Sequence, residues 1–459
     1  MRCRTNNTQH RILILGGGFA GICAAQRLER FVARNPDVEV TLVNRDNYFL
    51  FTPMLHEVAG GDLEPQNIVN PIRKMLHRVR FFCGEVHAVD LERQCVNASH
   101  GTDVHPHELP YDQLVLALGS TTNFFGLPGV EQRAFTMKSL DDAIRLRDHI
   151  IAQLDEADFD CAAAQRDQLL TFLVAGGGFA GVETAGSIND FIHESLRLYP
   201  NLTTEMIRVV LVSSGPIILP ELRERLGRFA QKKLAQRRIE IMTNVQVRSA
   251  TDECVELSNG RRITCNTLIW TAGTSPHPLI AALPCKKERG RIVVNDDLEL
   301  PEWPGVFAVG DCASILEHRT QKPHPPTAQH AVREGRVLAH NLGTTLSRQP
   351  RRAFRFSTLG QLATIGRRTG VANILGMNFS GFIAWWLWRT IYLMKLPRLE
   401  KKVRVALEWT LDLFFTKDIV RHHYLRQRSE QSPAINGEAA PLESAAIVRT
   451  ASLPVQLQA

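Results

Sequence analysis

The sequence predicts an α/β fold with two similar domains, the second inserted into the first, followed by a helical C-terminal segment. Two observations lead to this prediction. The six residues GGGFAG occur at positions 16–21 and again at 176–181, and each copy ends an apolar run and opens a helix-like stretch. Further along each half, an apolar strand-like run leads into a single glycine, Gly119 in the first half and Gly273 in the second. The two halves therefore repeat more than one feature.

In the first half, the pattern predicts a strand over residues 11–15, a helix over 19–31, a strand over 38–43 and a strand over 111–119. A strand that passes through a glycine turn into a helix places backbone N–H groups at the helix N-terminus, where a dinucleotide pyrophosphate binds. Each half is thus predicted to be a Rossmann-like dinucleotide-binding domain. Two dinucleotides on one chain favour electron transfer between them.

The second half repeats the pattern, with strands predicted over residues 170–175, 208–213 and 266–272. A buried strand over 305–309 ends in Gly310 and Asp311 and is followed by a Pro-rich loop and a helix from about Ala328. This interleaving predicts a discontinuous first domain. The predicted domains are residues 1–135 with 290–350, residues 136–289, a C-terminal region over 351–428, and a disordered tail over 429–459.

The composition indicates an ordinary globular protein, with 459 residues of which 44% are hydrophobic and 22% charged. Its nine cysteines are scattered, without a CxxC pair or metal-ligand spacing, so we expect neither a disulfide framework nor a metal. Cysteine use of this kind favours a reducing, cytoplasmic setting. The N-terminal residues are too polar for a secretory signal.

Positive charge is concentrated near the C-terminus. Residues 351–428 hold 15 Lys or Arg and 4 Asp or Glu, whereas the whole chain has a net charge of +7. Because these basic residues alternate with Trp, Phe and Leu, they favour an anionic membrane surface over nucleic acid.

Two apolar segments in this region are too short and too interrupted to span a bilayer, since Arg389 breaks the first of them. They are predicted to be helices lying in the headgroup plane. The side chains expected at the interface are Trp385, Trp386, Trp388 and Tyr392 in the first segment, and Leu399, Val403, Ala406, Leu407, Leu411, Phe414 and Phe415 beside Lys401, Lys402 and Arg404 in the second. Packing of the same helices as a homodimer interface is the alternative, and the two arrangements are compatible.

The chain closely resembles the membrane-bound type II NADH:quinone oxidoreductases, which belong to the flavoproteins with two dinucleotide-binding domains. The resemblance covers roughly residues 10–425 and is carried by residues 47–55, 111–119, 123–126, 176–183, 310–311, 328–329 and 381–420. It implies an enzyme that does not pump protons and acts by a ping-pong mechanism, in which NAD(P)H reduces FAD and FAD reduces a membrane quinone. It also implies a peripheral, monotopic protein on the cytoplasmic face of the membrane.

The resemblance implies an FAD site formed by Gly16, Gly18, Phe19, Ala20, Gly21, Asn44, Arg45, Thr52, Pro53, Gly119, Gly310, Asp311, Ala328 and Gln329. Asn44 stands where an acidic residue usually binds the ribose hydroxyls, and its side-chain oxygen still accepts hydrogen bonds. Asp311 suits a hydroxyl of the ribityl chain. The helix that begins at Ala328 would point its positive end at the flavin pyrimidine.

The implied NAD(P)H site comprises Gly176, Gly178, Gly181, Glu183, Ser213 and Gly273. Ser213 and Ser214 stand where an NADH-selective enzyme carries an acid that repels the 2′-phosphate of NADPH. We therefore expect relaxed cofactor choice, with NADPH accepted in addition to NADH. The predicted catalytic residues are Glu183, as a carboxylate near the nicotinamide and flavin, and Gln329. The predicted quinone contacts are Gln329, Arg333 and Glu334.

Two other functions remain open from the sequence. Sulfide:quinone oxidoreductases share the fold but need a redox cysteine pair near the flavin, whereas here Cys161 lies in a polar stretch and no cysteine follows Cys312. That pattern disfavours them, and it disfavours disulfide reductases for the same reason. A flavin-binding redox sensor without fast turnover is the alternative from a different class.

Overall fold

The computed structural model describes residues 9–101, 104–159, 162–318, 320–347 and 349–421. The predicted tail and Cys161 lie outside them. The strands are β1 His10–Leu15, β2 Val38–Asn44, β3 Tyr48–Leu50, β4 Val69–Pro71, β5 Arg80–Cys83, β6 Glu85–Asp90, β7 Cys95–His100, β8 His105–Pro110, β9 Gln113–Leu116, β10 Ser120–Thr122, β11 Ala134–Thr136, β12 Thr171–Ala175, β13 Arg208–Val212, β14 Ile239–Met242, β15 Val247–Ala250, β16 Cys254–Leu257, β17 Arg262–Thr264, β18 Thr267–Trp270, β19 Thr274–Pro276, β20 Lys287–Glu288, β21 Arg291–Val293, β22 Val306–Ala308, β23 Ala313–Ser314, β24 Gly360–Thr364, β25 Gly370–Ile374 and β26 Met377–Gly381. The helices are α1 Phe19–Val32, α2 Leu55–Ala59, α3 Val130–Arg133, α4 Leu140–Ala157, α5 Ala163–Leu169, α6 Phe179–Ser195, α7 Glu224–Gln236, α8 Pro278–Ala282, α9 Ala328–Ser347, α10 Phe382–Lys395 and α11 Leu399–Leu411.

Two five-stranded parallel sheets have the same internal order. The first runs β22-β9-β1-β2-β5 and the second β11-β18-β12-β13-β14. In each sheet the strand before the GGGFAG motif lies centrally, between the strand that leads to a single glycine and the next strand of the nucleotide unit. These central strands are apolar over residues 12–15 and 172–175, where the side chains are buried because both faces of the sheet are covered. The repeated order confirms the predicted α/β fold with two related halves.

The first sheet contains strands that precede the second sheet in the sequence and one strand that follows it. This last strand, β22, pairs with β9 at the edge of the first sheet. The predicted boundary between residues 135 and 136 falls inside β11, which pairs with β18 of the second sheet. The two glycine turns that follow β9 and β18 are joined directly, because β10 and β19 pair as an antiparallel ribbon. The repeated loops of the two halves are therefore next to one another.

The C-terminal region begins with a three-stranded antiparallel sheet, β24-β25-β26, and continues into α10 and α11. The two helices were expected here from the two apolar segments. Among the described residues, none of the helices combines the length and the apolar character that crossing a bilayer requires.

Candidate active site

In the first glycine loop, two positions have no space for a side chain, and a third lies beside open space. Gly16 has φ +106°, and a Cβ there would lie 2.3 Å from the Ala117 carbonyl oxygen. A Cβ on Gly21 would lie 1.9 Å from the Gly16 carbonyl oxygen. Around Gly18, by contrast, nothing lies within 4 Å of where a Cβ would be. The free space at the N-terminus of α1 is what a pyrophosphate requires, so a dinucleotide fits this loop.

Asn44, the residue in place of the usual acid, is bonded to the loop itself. Its Oδ1 accepts a hydrogen bond from the Gly17 amide at 2.7 Å, and its Nδ2 donates to the Asp46 carbonyl at 2.8 Å. The side chain therefore helps to hold the loop, and only the second lone pair of Oδ1 is left for a ribose hydroxyl.

The other predicted FAD residues lie around the same edge of the sheet. Phe19 packs edge-on against Phe49, with ring centroids 5.0 Å apart, and Ala20 is buried. Arg45 is exposed and lies 3.6 Å from Asp46, while Thr52 and Pro53 open a short 3-10 turn. Gly119 has φ +70° with open space beside it, as a turn next to a ligand requires.

Asp311 lies in a polar cluster that the sequence did not reveal. Ser120 donates to Asp311 Oδ2 at 2.7 Å, and Lys138 donates to Ser120 Oγ at 3.1 Å. The turn is held from behind by Glu334, whose Oε2 accepts from the Gly310 amide at 2.7 Å. Glu334 is buried, and burial raises the pKa of its carboxyl to about 7 although the Gly310 amide opposes this shift. Glu334 thus faces the Gly310 turn.

The second glycine loop has the same construction. Gly176 has φ +127°, and a Cβ on Gly181 would lie 1.8 Å from the Gly176 carbonyl oxygen. The nearest atom to a Cβ on Gly178 is Glu221 Oε1, at 4.0 Å. Ser213 is buried against this loop as Asn44 is against the first, since a Cβ on Gly177 would lie 2.3 Å from Ser213 Oγ. At the neighbouring turn, a Cβ on Gly273 would lie 2.6 Å from the Phe125 ring.

The two predicted catalytic residues contact opposite ends of the same strand, β24. Gln329, on α9, donates through Nε2 to the Gly360 carbonyl at 3.1 Å, at one end of β24. Glu183, on α6, accepts through Oε1 from the Thr364 amide at 3.2 Å, at the other end. The C-terminal sheet therefore joins the helix that follows the second glycine loop to the helix that follows the Pro-rich loop. Arg333 stacks 4.1 Å above the Phe356 ring and donates to the Gln329 carbonyl at 2.7 Å.

Glu183 was predicted to act as a carboxylate, and its surroundings favour the protonated form instead. It is buried, and Oε1 also accepts from Trp388 Nε1 at 3.1 Å. Burial raises the pKa of Glu183 to about 8, against the opposing effect of these two hydrogen bonds, so the group is a neutral acid at pH 7. His56 Nδ1 lies 3.8 Å from Oε2, and burial lowers the pKa of His56 to about 4. The contact therefore joins two neutral groups.

A second buried acid, missed from the sequence, lies beside the first. Glu57 Oε2 accepts from Trp409 Nε1 at 3.0 Å, and Oε1 lies 4.0 Å from Arg389. Burial raises the pKa of Glu57 to about 8 even though Arg389 opposes it. These residues lie in or next to segments that carry the family resemblance. His56 and Glu57 directly follow residues 47–55, and Arg389 lies within residues 381–420. Their adjacency to recognised segments was the available signal, but the sequence does not show which of these side chains are buried.

Replacing Glu183 with glutamine is expected to remove a pH-dependent loss of stability. The carboxyl titrates near 4.5 when unfolded but near 8 when folded, so it costs nothing at low pH and destabilises the folded state progressively as pH rises from about 5 to 8. Relative to Glu183→Gln, the wild-type free energy of unfolding should fall by up to about 4 kcal/mol between roughly pH 5 and pH 8.5. Urea unfolding at several pH values measures this.

Glu224→Gln is the matched control, since Glu224 is an exposed helix residue that pairs with Arg228. The control should run parallel to the wild type across the pH range. Parallel curves for wild type and Glu183→Gln would contradict the raised pKa of Glu183.

The described cysteines are all free thiols. No disulfide joins cysteines within residues 9–421 that the structure describes. Cys312, the cysteine next to Asp311, is fully buried, its Sγ donates to the Leu116 and Val309 carbonyls at 3.3 Å, and burial raises the pKa of its thiol to about 12. A thiol that stays protonated is a poor nucleophile, which disfavours thiol chemistry at this position.

The C-terminal helices divide their aromatic residues differently from the prediction. Trp388 is fully buried and Trp385 is 9% exposed, whereas Trp386 is 54% exposed. Placing Trp385 and Trp388 at a membrane interface was therefore wrong, because both pack inside the protein. Lys401 is also buried, and its Nζ donates to the Gln66 carbonyl. The exposed large apolar side chains of this region are Phe382, Ile383, Trp386, Met394, Leu399, Val403, Leu407, Leu411, Leu413, Phe414, Phe415 and Val420.

Comparison with known families matches nearly the whole of this architecture. Residues 10–335 match the pyridine nucleotide-disulphide oxidoreductase family, and residues 359–418 match the NDH2 C-terminal domain. A probable NADH dehydrogenase from Dictyostelium discoideum is 32% identical, with 89% of this chain and 90% of the relative aligned. The type II NADH:quinone oxidoreductase Ndh from Mycobacterium tuberculosis is 31% identical, with 94% and 95% aligned.

Solved structures give the same fold. The structure of NDH2 from Plasmodium falciparum in complex with NADH superposes with a TM-score of 0.84 at 20% identity, covering 90% of this chain and all of that one. A sulfide:quinone oxidoreductase from Aquifex aeolicus superposes with a TM-score of 0.64 at 18% identity, covering 89% and 96%. These two likenesses concern the fold.

Proposed function

The chain belongs to the pyridine nucleotide-disulphide oxidoreductase family and, within it, to the type II NADH:quinone oxidoreductases, and from this premise we propose how its residues perform the reaction. The enzyme uses NADH and a flavin and passes electrons to a quinone. The flavin we propose is FAD, held by the domain of the first sheet, with NAD(P)H held by the domain of the second sheet. The single observation that carries the proposal is the pair of glycine loops with identical construction.

The residues present fit FAD at the first loop. Gly16 and Gly21 hold the backbone so that Gly18 faces free space, which the pyrophosphate would occupy. Asp311, bonded to Ser120, is placed for a ribityl hydroxyl, and the N-terminus of α9 at Ala328 supplies positive dipole potential toward an anionic ring. When bound, FAD supplies acceptance of a hydride from NADH and delivery of two electrons to the quinone.

Glu183 and Gln329 are proposed to act where the two cofactor sites and the quinone meet. The neutral Glu183 carboxyl can donate its proton in a hydrogen bond, whereas its Oε1 is already held by Thr364 and Trp388. It thereby orients a carbonyl or carboxamide group and holds a proton close to the reacting rings. Gln329 and Arg333 are the proposed quinone contacts. Glu334 remains a weaker candidate, since its carboxyl is engaged by the Gly310 amide.

Stopped-flow absorbance tests the function. Mixing the purified yellow protein with NADH should bleach the flavin band within the time of one turnover, and a soluble quinone should restore it. A flavin-binding sensor would show slow bleaching or no recolouring by quinone. Protein that is colourless after incubation with excess FAD would contradict the first glycine loop as a flavin site.

The site next to the second loop is proposed to accept NADPH as well as NADH. Ser213 occupies the place at the loop where an acid would repel a 2′-phosphate. Ser213→Asp should raise the preference for NADH over NADPH, measured as the ratio of kcat/KM values, by about 10- to 100-fold because close like charges cost several kcal/mol. Ser213→Ala, which adds no charge, is the control and should leave the ratio nearly unchanged. A wild-type preference for NADH already above about 100-fold would contradict the proposal.

We further propose that α10, α11 and the residues after them bind the cytoplasmic face of an anionic membrane. Supporting this, Leu399, Val403, Leu407 and Leu411 recur every four residues along α11 and each is at least half exposed. This forms one apolar stripe along the helix. Lys402 and Arg404 lie on the same helix, where they would face anionic headgroups. A homodimer that buries the same stripe is the alternative arrangement.

A further inference from the structure

Helices α1 and α9 pack at unusually close range, and the reason lies in two glycines of α9. A Cβ on Gly335 would lie 2.4 Å from the Ala20 carbonyl oxygen, and one on Gly343, two turns later, would lie 3.2 Å from the Phe31 ring. The two helices therefore run side by side in the same direction. The residues that lie between these contacts, Arg27 on α1 and Arg336 on α9, come to share one cleft.

The cleft is a cavity of about 360 Å³ lined by Arg27, Arg336, Val337, Ala339, His340 and Arg352. The three arginines are exposed, and no Asp or Glu of the described residues lines the cavity. Two of the guanidinium groups lie close to the Cys23 thiol. Burial raises the pKa of this thiol, and the charges of Arg336 and Arg27 oppose that rise. On the other side, burial and then the charge of Arg352 lower the pKa of His340.

None of the ion pairs formed by the described residues involves the three arginines that line this cleft. Arg351, which directly precedes Arg352 in the sequence, pairs with Asp297 at 3.0 Å and also with Glu299. For Arg27, Arg336 and Arg352, by contrast, no carboxylate of the described residues lies within ion-pair distance. Guanidinium groups bind phosphate oxygens with paired, directional N–H donors, and a neutral imidazole adds one more donor. The apolar floor of Val337 and Ala339 would exclude water beneath such a ligand.

We propose that the cleft between α1 and α9 is a binding site for a phosphate-bearing anion, separate from the two glycine loops. Its volume suits a group with one or two phosphates on a small organic moiety. Both a free phosphorylated metabolite and the headgroup of an anionic phospholipid carry this chemistry. The site goes beyond the electron-transfer reaction, and its occupation does not depend on the assignments made for FAD, NADH or quinone.

Calorimetric titration of the FAD-loaded protein with inorganic pyrophosphate tests the site, with saturating NAD⁺ present to block the second glycine loop. We expect saturable binding that weakens by about tenfold for each charged contact removed in Arg27→Gln and Arg336→Gln. Arg30→Gln is the matched control, since Arg30 is an exposed arginine on α1 outside the cavity lining. All of these residues are exposed, so melting temperatures should be unchanged.

Flotation with vesicles of phosphatidylglycerol and phosphatidylcholine is the second arm of the test. Loss of pyrophosphate binding in the two cleft variants identifies a free phosphate ligand. Unaltered or undetectable pyrophosphate binding, combined with weaker flotation of the cleft variants than of Arg30→Gln, identifies a lipid headgroup. If the cleft variants match the wild type in both arms, or if neither probe binds, the arginines are only solvated and the proposal is overturned.

Discussion

Gly178→Val is expected to give a folded, yellow protein that NADH reduces very poorly. The backbone at Gly178, with φ −79° and ψ −172°, is one that valine adopts, and a Cβ there approaches nothing closer than 4.0 Å. The side chain would nevertheless occupy the space through which a pyrophosphate reaches the N-terminus of α6. Losing charged hydrogen bonds worth about 3 kcal/mol raises the KM for NADH by about 100-fold.

Gly18→Val is the matched variant in the first loop, because Gly18 has the same extended backbone, φ −75° and ψ −167°, and the same open surroundings. It is expected to fold but to lose FAD, and so to be colourless. The two variants thus separate the two cofactor sites within one protein. Normal NADH kinetics in Gly178→Val, or full FAD content in Gly18→Val, would show that the loops do not hold pyrophosphates. Circular dichroism spectra that match the wild type, together with a melting curve of Gly18→Val that matches FAD-free wild type, establish that neither variant is misfolded.

Much of this fold was predictable from the sequence because local signals coincide with tertiary ones. The glycine loops have to be glycine for backbone reasons, and the apolar runs before them have to be strands because both faces are buried. The glycines at 119 and 273 correctly indicated two related halves, but the pairing of β10 with β19 beside them was not predicted.

The environment of the site was less predictable, because it depends on contacts across long separations in sequence. Burial raises the pKa of Glu183 to about 8, and the residues packed against its carboxyl include Thr364 and Trp388 from the C-terminal region, whose hydrogen bonds act in the opposite direction. No periodicity distinguishes Trp388, which is buried, from Trp386, which is exposed. Both lie in a helix that is apolar nearly all round, and the packing partners decide which face is covered.

The same limit applies to polar residues that bind backbone groups. Arg333 and Glu334 were predicted only as quinone contacts, and the sequence did not show that Arg333 stacks on Phe356 or that Glu334 accepts from the Gly310 amide. Ser120 donates to Asp311 from a different part of the chain and in turn accepts from Lys138, and neither residue carries a motif of its own.

Replacing Leu407, Leu411 and Phe414 together with serine is expected to abolish most membrane binding while leaving activity with a soluble quinone analogue. These side chains are 58%, 55% and 77% exposed, so their removal leaves the protein core intact. A fully buried large apolar side chain contributes about 1.5–3 kcal/mol, so the vesicle partition coefficient should fall by at least about 100-fold. Co-sedimentation with vesicles that contain phosphatidylglycerol measures it, and added salt should weaken the wild-type binding because charges on α11 contribute.

A triple serine variant of Phe159, Leu198 and Leu316 is the control, since these residues are 75%, 66% and 44% exposed but lie outside the C-terminal helices. It should bind vesicles as the wild type does, because three scattered side chains do not form a face that a bilayer can cover. Light scattering on the same samples separates the membrane from the homodimer. A change from dimer to monomer in the α11 variant, with vesicle binding unaltered, would assign the apolar stripe to a second copy of the chain, because only one of the two partners can then account for its burial.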